Sequence, residues 1–252
     1  VIGSRGGSAA PPKVRRRGVG VLLVLIFLVV AVAAADRIVA VIAERSAASL
    51  LADQAQFVHP PRVAINGIPF LTQAAEGNYR DVQVRSDGVT VDGVSAVSLD
   101  VHLRGVHLPL RAALGISTIH QLVCDSIDGS VTFAYGELAR LSKVGGLVLA
   151  MSGGRVKVSA TLPIPILGQT LPVSGVAGVR IVAGAVVLDV SQLVVAGVTL
   201  PQAAVDALAL TFAQPIPIPA LPFGLVVTSA TPGPQGVAVA ASAQHTVIDA
   251  NP

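Results

Sequence analysis

The chain has no tryptophan, two tyrosines, six phenylalanines and a single cysteine in 252 residues. With one thiol, Cys124, no internal disulfide forms, so the fold must rest on its hydrophobic interior. Cys124 follows Leu122 and Val123, an apolar context that predicts a buried thiol. Charged residues are only 12% of the chain, about half the usual share for a soluble domain. Such a chain has either a large interior or a surface that meets lipid or a partner. Lysine is nearly missing too, with Lys13, Lys143 and Lys157 the only three. The net charge of +3 misleads, because Arg5, Lys13, Arg15, Arg16 and Arg17 all precede the first acidic residue. Setting those five aside leaves 12 basic residues against 14 acidic ones. The remainder carries no basic excess, which argues against nucleic acid as a partner.

Reaction motifs are missing as well. No G-x-S-x-G nucleophile elbow occurs, and Gly145-Gly146 and Gly153-Gly154 lack the Lys-Ser/Thr of a phosphate loop. His59, His102, His107, His120 and His245 are scattered, and no Cys or carboxylate pair completes a zinc set. No catalytic residue, cofactor or metal is therefore assigned. Asp100, His102 and Arg104 share one strand face, as a solvated face or as a polar site. Asp125 and Asp128 read as loop residues across a turn.

What is present begins with Arg15-Arg16-Arg17 and the uncharged run Gly18 to Ala35. A basic flank, an apolar centre and a small-residue end are the three parts of a secretory signal. The run is also nearly long enough to span a bilayer, which takes roughly 20 apolar residues, with the basic side kept in the cytoplasm. The chain divides into a basic cytoplasmic segment at 1–17, a signal sequence or membrane anchor at 18–35, and a domain at 36–252 outside the cytoplasmic membrane. Cleavage and retention of the anchor both fit the sequence.

Residues 36–57 read as a helix capped by Asp36, apolar over more than half its girth and so expected to be mostly buried, with His59-Pro60-Pro61 at its end. Beyond it the period becomes two. Asp81 to Arg85 alternates and Ser86-Asp87-Gly88 reads as a turn. In Val97 to Gly105, Val97, Leu99, Val101 and Leu103 fall on one face. Arg155 to Ser159, Val176 to Ile181, Ala185 to Val195 and Val237 to Thr246 are further strands, and one dry face per strand suits an antiparallel sheet. Tyr135 to Ser142 and Pro201 to Ala213 read as later helices. The alternating prolines of Leu162 to Leu167 and of Pro215 to Phe223 predict rigid extended segments outside any helix or central strand. Ile216, Ile218, Leu221 and Phe223 are then either a strap over the core or a hydrophobic lip that dips into a membrane surface. Phe70 and Leu71, after Gly67-Ile68-Pro69, share that ambiguity.

Val63-Ala64-Ile65-Asn66-Gly67-Ile68-Pro69-Phe70-Leu71-Thr72-Gln73, then Glu76-Gly77-Asn78-Tyr79-Arg80-Asp81-Val82, resembles the LmeA family of actinobacterial cell-envelope phospholipid-binding proteins. Asp100 to Val106 and Gly129 to Leu138 extend the resemblance, which covers about residues 36–250 and thins after Val173. It implies a non-enzymatic phospholipid-binding protein of the periplasm, tied to elongation of the lipomannan mannan chain or to lipid homeostasis and transport. It implies an α+β fold, a curled antiparallel sheet wrapping a long N-terminal helix, similar to tubular lipid-binding domains. Phospholipid and the membrane surface are the implied partners, with envelope glycolipid-assembly enzymes beside them. Phe70, Leu71, Ile216, Ile218, Leu221 and Phe223 are the candidate lipid-binding residues. An envelope adaptor that binds a membrane glycosyltransferase, and a lipid- or glycan-acting enzyme using Asp100 and His102, are the alternatives.

Overall fold

The computed structural model describes residues 15–54, 57–91, 93–113, 116, 121–142, 144–164, 169–199, 214–218 and 224–249. The fold is α+β, with one long helix and two antiparallel sheets. Helix α1 spans Arg15–Gln54. Strand β1 (Arg62–Asn66), short helix α2 (Phe70–Glu76), strands β2 (Asn78–Val91) and β3 (Val94–His107), and the single turn α3 (Leu110–Ala113) follow. Next come β4 (Gln121–Phe133), α4 (Tyr135–Leu141), β5 (Val148–Ser152), β6 (Arg155–Ile164), β7 (Gln169–Val182), β8 (Ala185–Val195) and β9 (Val198–Thr199). Strands β10 (Val226–Pro232) and β11 (Val237–Asp249) complete the described chain. The first sheet has the order β1-β2-β3-β4-β11-β10 and the second β5-β6-β7-β8-β9.

Two cores form. One lies where the ends of the two sheets meet. There Val89, Ala96, Phe133, Val237 and Val239 of the first sheet pack with Val156, Val158, Val173, Val186 and Leu193 of the second. The other lies at the far end of the first sheet, where Ala40 and Ala43 of α1 and Phe70 and Ala74 of α2 pack on Ile65, Tyr79, Val106, Cys124 and Ile127. The thiol is buried, as its context predicts.

Several local expectations change. The helix expected at 36–57 is continuous with the apolar run before it, and most of its described side chains are half-buried or exposed rather than buried. Only Asp36, Ala40 and Ala43 of its described side chains are buried, so sheet and helix meet along one stripe. Asp36 does not start α1. Its carboxylate instead accepts the Leu71 N–H at 2.7 Å and caps α2 from across the interface, because the residue before α2 is Pro69, whose side chain has no oxygen to offer. Helices α2 and α3 were not legible as periodic segments, being only seven and four residues long. Ser86-Asp87-Gly88 is not a turn. Gly88 has φ +87 and bends β2 without ending it, and its carbonyl accepts the Val58 N–H at 3.2 Å. Pro163 lies within β6, paired with Thr170 of β7. Strand β5 pairs only with Arg155 to Ser159, so at Pro163 no described strand lies on the other side of β6, where the missing N–H would point. The segment 201–213 lies outside the described residues.

Candidate functional site

The first sheet has one polar and one apolar face. On the apolar face, Ile65, Val82, Leu103, Ile127 and Ala243 form one cross-strand row. Val63, Val84, Val101, Gly129, Ala241 and Val227 form the next, and Ser86, Leu99, Val131, Val239 and Ala230 a third. The face runs under α1 and α2 at one end and under the second sheet at the other. Toward the middle of the face Val82, Val84, Leu99, Val101, Leu103, Gly129 and Val131 are only half-buried, with Leu99 and Val131 at the edge of one core and Val82, Val101 and Leu103 at the edge of the other. Gly129 sets a low point in the middle of the face. A Cβ built there would meet Val101 Cγ2 at 3.4 Å, an ordinary contact, and its φ is not in the left-handed region. Across six strands, at about 4.8 Å between neighbours, the face is roughly 24 Å wide.

At the α1 end this face is closed by residues of the stretch 63–82. Gly67 has φ +106, and a side chain there would overlap Gln73, whose buried amide Oε1 accepts the Arg80 N–H at 2.9 Å. Asn66 Nδ2 donates to Asp81 at 2.7 Å, joining β1 to β2. Gly77, at φ 64, ends α2 with its N–H on the Ala74 and Gln73 carbonyls. Phe70 is fully buried with its ring 5.9 Å from that of Tyr79. Tyr79 Oη is, among the described residues, the one buried side-chain oxygen or nitrogen without a protein partner. Burial pushes its ionisation up, so it stays a neutral donor.

One irregular row crosses the first sheet. The ladder steps from Tyr79↔Val106 to Asp81↔Arg104, from Arg104↔Ser126 to Val106↔Cys124, and from Gln244↔Ser126 to Thr246↔Cys124. The skipped residues Arg80, Gly105, Asp125 and His245 lie side by side, with Gly105 at φ +60 and His245 at φ +48. Along this crease the alternation changes phase. Inward residues are three apart (Tyr79 to Val82, Leu103 to Val106, Cys124 to Ile127) rather than two.

The polar face carries a charge ladder. Gln83 Nε2 donates to Asp100 Oδ1 at 2.8 Å and lies 2.8 Å from His102 Nε2, while His102 Nδ1 meets Asp81 Oδ1 at 3.0 Å. Arg85 pairs with Asp100 at 3.0 Å and Arg104 with Asp128 at 2.6 Å. Burial raises Asp81, but hydrogen bonds from His102 and Asn66 outweigh it and hold the carboxyl below its ordinary value. Burial likewise raises Asp100, and bonds from Gln83 and Arg85 bring it below that value. Both imidazole nitrogens of His102 face side chains that already engage them. The cluster thus reads as cross-strand pairing on a solvated face. Among the described residues no group of three His, Cys, Asp or Glu is placed to hold a metal ion.

The four candidate residues within the described part of the chain do not converge. Phe70 belongs to the α1-end core, and Leu71 beside it is 37% exposed on the first turn of α2. Ile216 is buried at the other core, exchanging both backbone hydrogen bonds with Val186, and Ile218 is half-buried against the same core. Leu221 and Phe223 lie outside the described residues. Two open grooves border the sheet. One, of about 560 Å³, runs along Gly224, Val226, Thr228, Ser242 and His245. The other, of about 580 Å³, lies by Ala74, Glu76, Gly77, His107 and Leu108. Alternation in the sequence puts Leu99, Val101 and Leu103 together on this face, but Val97, read with them, falls at a register shift where Ala96 turns inward instead; the sequence does not show that Gly129 and Ala241 stand beside the row.

A family described as LmeA-like phospholipid-binding matches residues 34–242. No curated protein and no solved structure matches the chain.

Proposed function

We propose, from the premise that this chain belongs to the LmeA-like phospholipid-binding family, that the apolar face of the first sheet receives the acyl part of a phospholipid. The observation that carries the reading is the half-buried apolar band between the two cores, lowest at Gly129. A sixteen-carbon chain left in water costs on the order of 12 kcal/mol at roughly 0.8 kcal/mol per methylene, so a carrier needs such a band. Val, Ala and Gly leave room where aromatic rings would fill it. The protein binds lipid without transforming it and works in the cell envelope outside the cytoplasmic membrane, held by 18–35 or released after cleavage there. Its role is to support lipoglycan mannan elongation or lipid homeostasis.

Solvent extraction of the purified protein followed by mass spectrometry tests this. A carrier releases stoichiometric phospholipid; an adaptor that binds a glycosyltransferase releases none. Gly129→Leu provides the matched variant, because its Cβ meets only ordinary contacts while its side chain fills the low point. The expected result is an unchanged circular dichroism spectrum with lipid content reduced several-fold. Lipid-free wild-type protein, or a folded Gly129→Leu protein with undiminished lipid, overturns the assignment.

A further inference from the structure

We infer that the loop Gly67 to Leu71 and the outward side of α1 just beyond Ala35 form a membrane-contact surface, which seats the domain directly on the lipid rather than on a stalk. The inference rests on the reading of α1 as a membrane anchor; it does not depend on what the sheet face binds.

Helix α1 is unbroken from Arg15 to Gln54, and it is long and apolar enough to cross a membrane. Residues 22–35 are all exposed, so nothing described in this protein covers them. The folded domain takes hold of the helix at the very next residue. Asp36 is buried with its carboxylate on the Leu71 N–H, and Arg37 Nη2 reaches the Gly67 carbonyl at 3.4 Å. Both ends of the loop are thereby tied to the helix position where the apolar run stops.

The run from Gly18 to Ala35 measures about 27 Å at 1.5 Å per residue, a little less than the roughly 30 Å of a hydrocarbon core. The boundary of the hydrocarbon therefore falls at Asp36 or beyond. At that level the loop presents Ile68, which is 75% exposed, and Leu71. Around the helix from the buried stripe, Ile38, Val41 and Ile42 are exposed as well. They carry the apolar side of α1 about 10 Å past Ala35, a length that matches the headgroup layer better than open water. Arg45 is exposed on the same stretch, as is Arg37, which also pairs with Asp36 at 2.8 Å, and a cation there suits the anionic headgroups of a lipid surface. Apolar tips with basic neighbours, at the exit of a spanning helix, fit a lipid surface as occupant; a protein partner would have to reach past the headgroups to cover them.

The absence of native tryptophan gives a clean probe. Ile68→Trp and Leu71→Trp place an indole in the loop, and Val148→Trp places one on β5 of the second sheet, at a similarly exposed site. The full chain is reconstituted in vesicles of phosphatidylcholine and phosphatidylglycerol, with and without lipids brominated near the headgroup. The expected result is blue-shifted emission and several-fold stronger quenching at 68 and 71 than at 148. Quenching at 68 and 71 no stronger than at 148 overturns the inference. Lipid extraction of the same three proteins separates the two readings: a chain that carries lipid but shows no loop quenching sinks only the contact surface, and a quenched loop on lipid-free protein sinks only the carrier.

Discussion

At the scale of single residues, several positions in the stretch that carries the family resemblance build the α1 end of the first sheet. Gly67, Phe70, Gln73, Gly77 and Tyr79 each answer a local demand: a positive φ, a buried ring, a bridging amide, a helix end. Adjacent Phe70 and Leu71 should therefore behave differently. Phe70→Ala removes a fully buried ring and is expected to cost about 3–5 kcal/mol in urea denaturation. Leu71→Ala, at an exposed position, is expected to stay within about 0.5 kcal/mol. Acid sensitivity belongs to this scale as well. Asp81 and Asp100 are held below the ordinary carboxylate value in the folded chain. Their contribution to stability is thus complete above the unfolded value of about 4, and it fades as pH falls through the lower folded values. Denaturation midpoints measured from pH 7 to pH 2 should drop on that acid limb, and the Asp81→Asn, Asp100→Asn double variant should show a shallower drop from a lower plateau.

Among the elements, the crease through Arg80, Gly105, Asp125 and His245 decides which side chains face inward. A two-residue period continued through it would turn Val106 and Cys124 outward; the extra residue in each strand turns them into the α1-end core. Gly105 is the most constrained member. Its φ of +60 disfavours any side chain, and a Cβ there would overlap the Asp125 carboxylate. Gly105→Ala is expected to destabilise by about 1–2 kcal/mol from the backbone conformation alone. Hydrogen exchange should quicken around Tyr79, Val106 and Cys124 and stay unchanged in β6 to β8. Uniform acceleration across both sheets would count against a local role for the crease. The α1–α2 junction works similarly: a seven-residue helix is too short to hold itself, and Asp36 lends it the cap its own proline cannot.

Taken whole, the molecule is a long exposed helix joined to a sheet that is packed tightly at both ends and loosely in its middle. On the proposed function, that distribution of packing couples ligand to stability. A lipid that fills the half-buried band binds the folded form alone and stabilises it by about 2.7 kcal/mol at a free concentration 100 times its dissociation constant. Melting of lipid-loaded and detergent-stripped protein should differ by several degrees, and Gly129→Leu should erase the difference while keeping the stripped melting temperature. Equal melting of the loaded and stripped wild type would leave the band without a ligand.

How much of this was legible beforehand follows from the range of each signal. The α+β class, the antiparallel strands, the apolar span and the buried Cys124 were readable in the chain, because alternation, charge and run length are local properties. Even there, Ser86 to Gly88 was misjudged as a turn, since whether a glycine ends a strand or only bends it depends on neighbours distant in sequence. The candidate site was half-visible: Leu99, Val101 and Leu103 announced an apolar face, but nothing marked Gly129 as its low point. Asp36 looked like the start of its own helix and became the cap of another, 35 residues away. Hydrophobic pattern says which side of an element must leave water; only the packed structure determines what covers that side, and how completely, because coverage is a relation between segments that no single segment encodes.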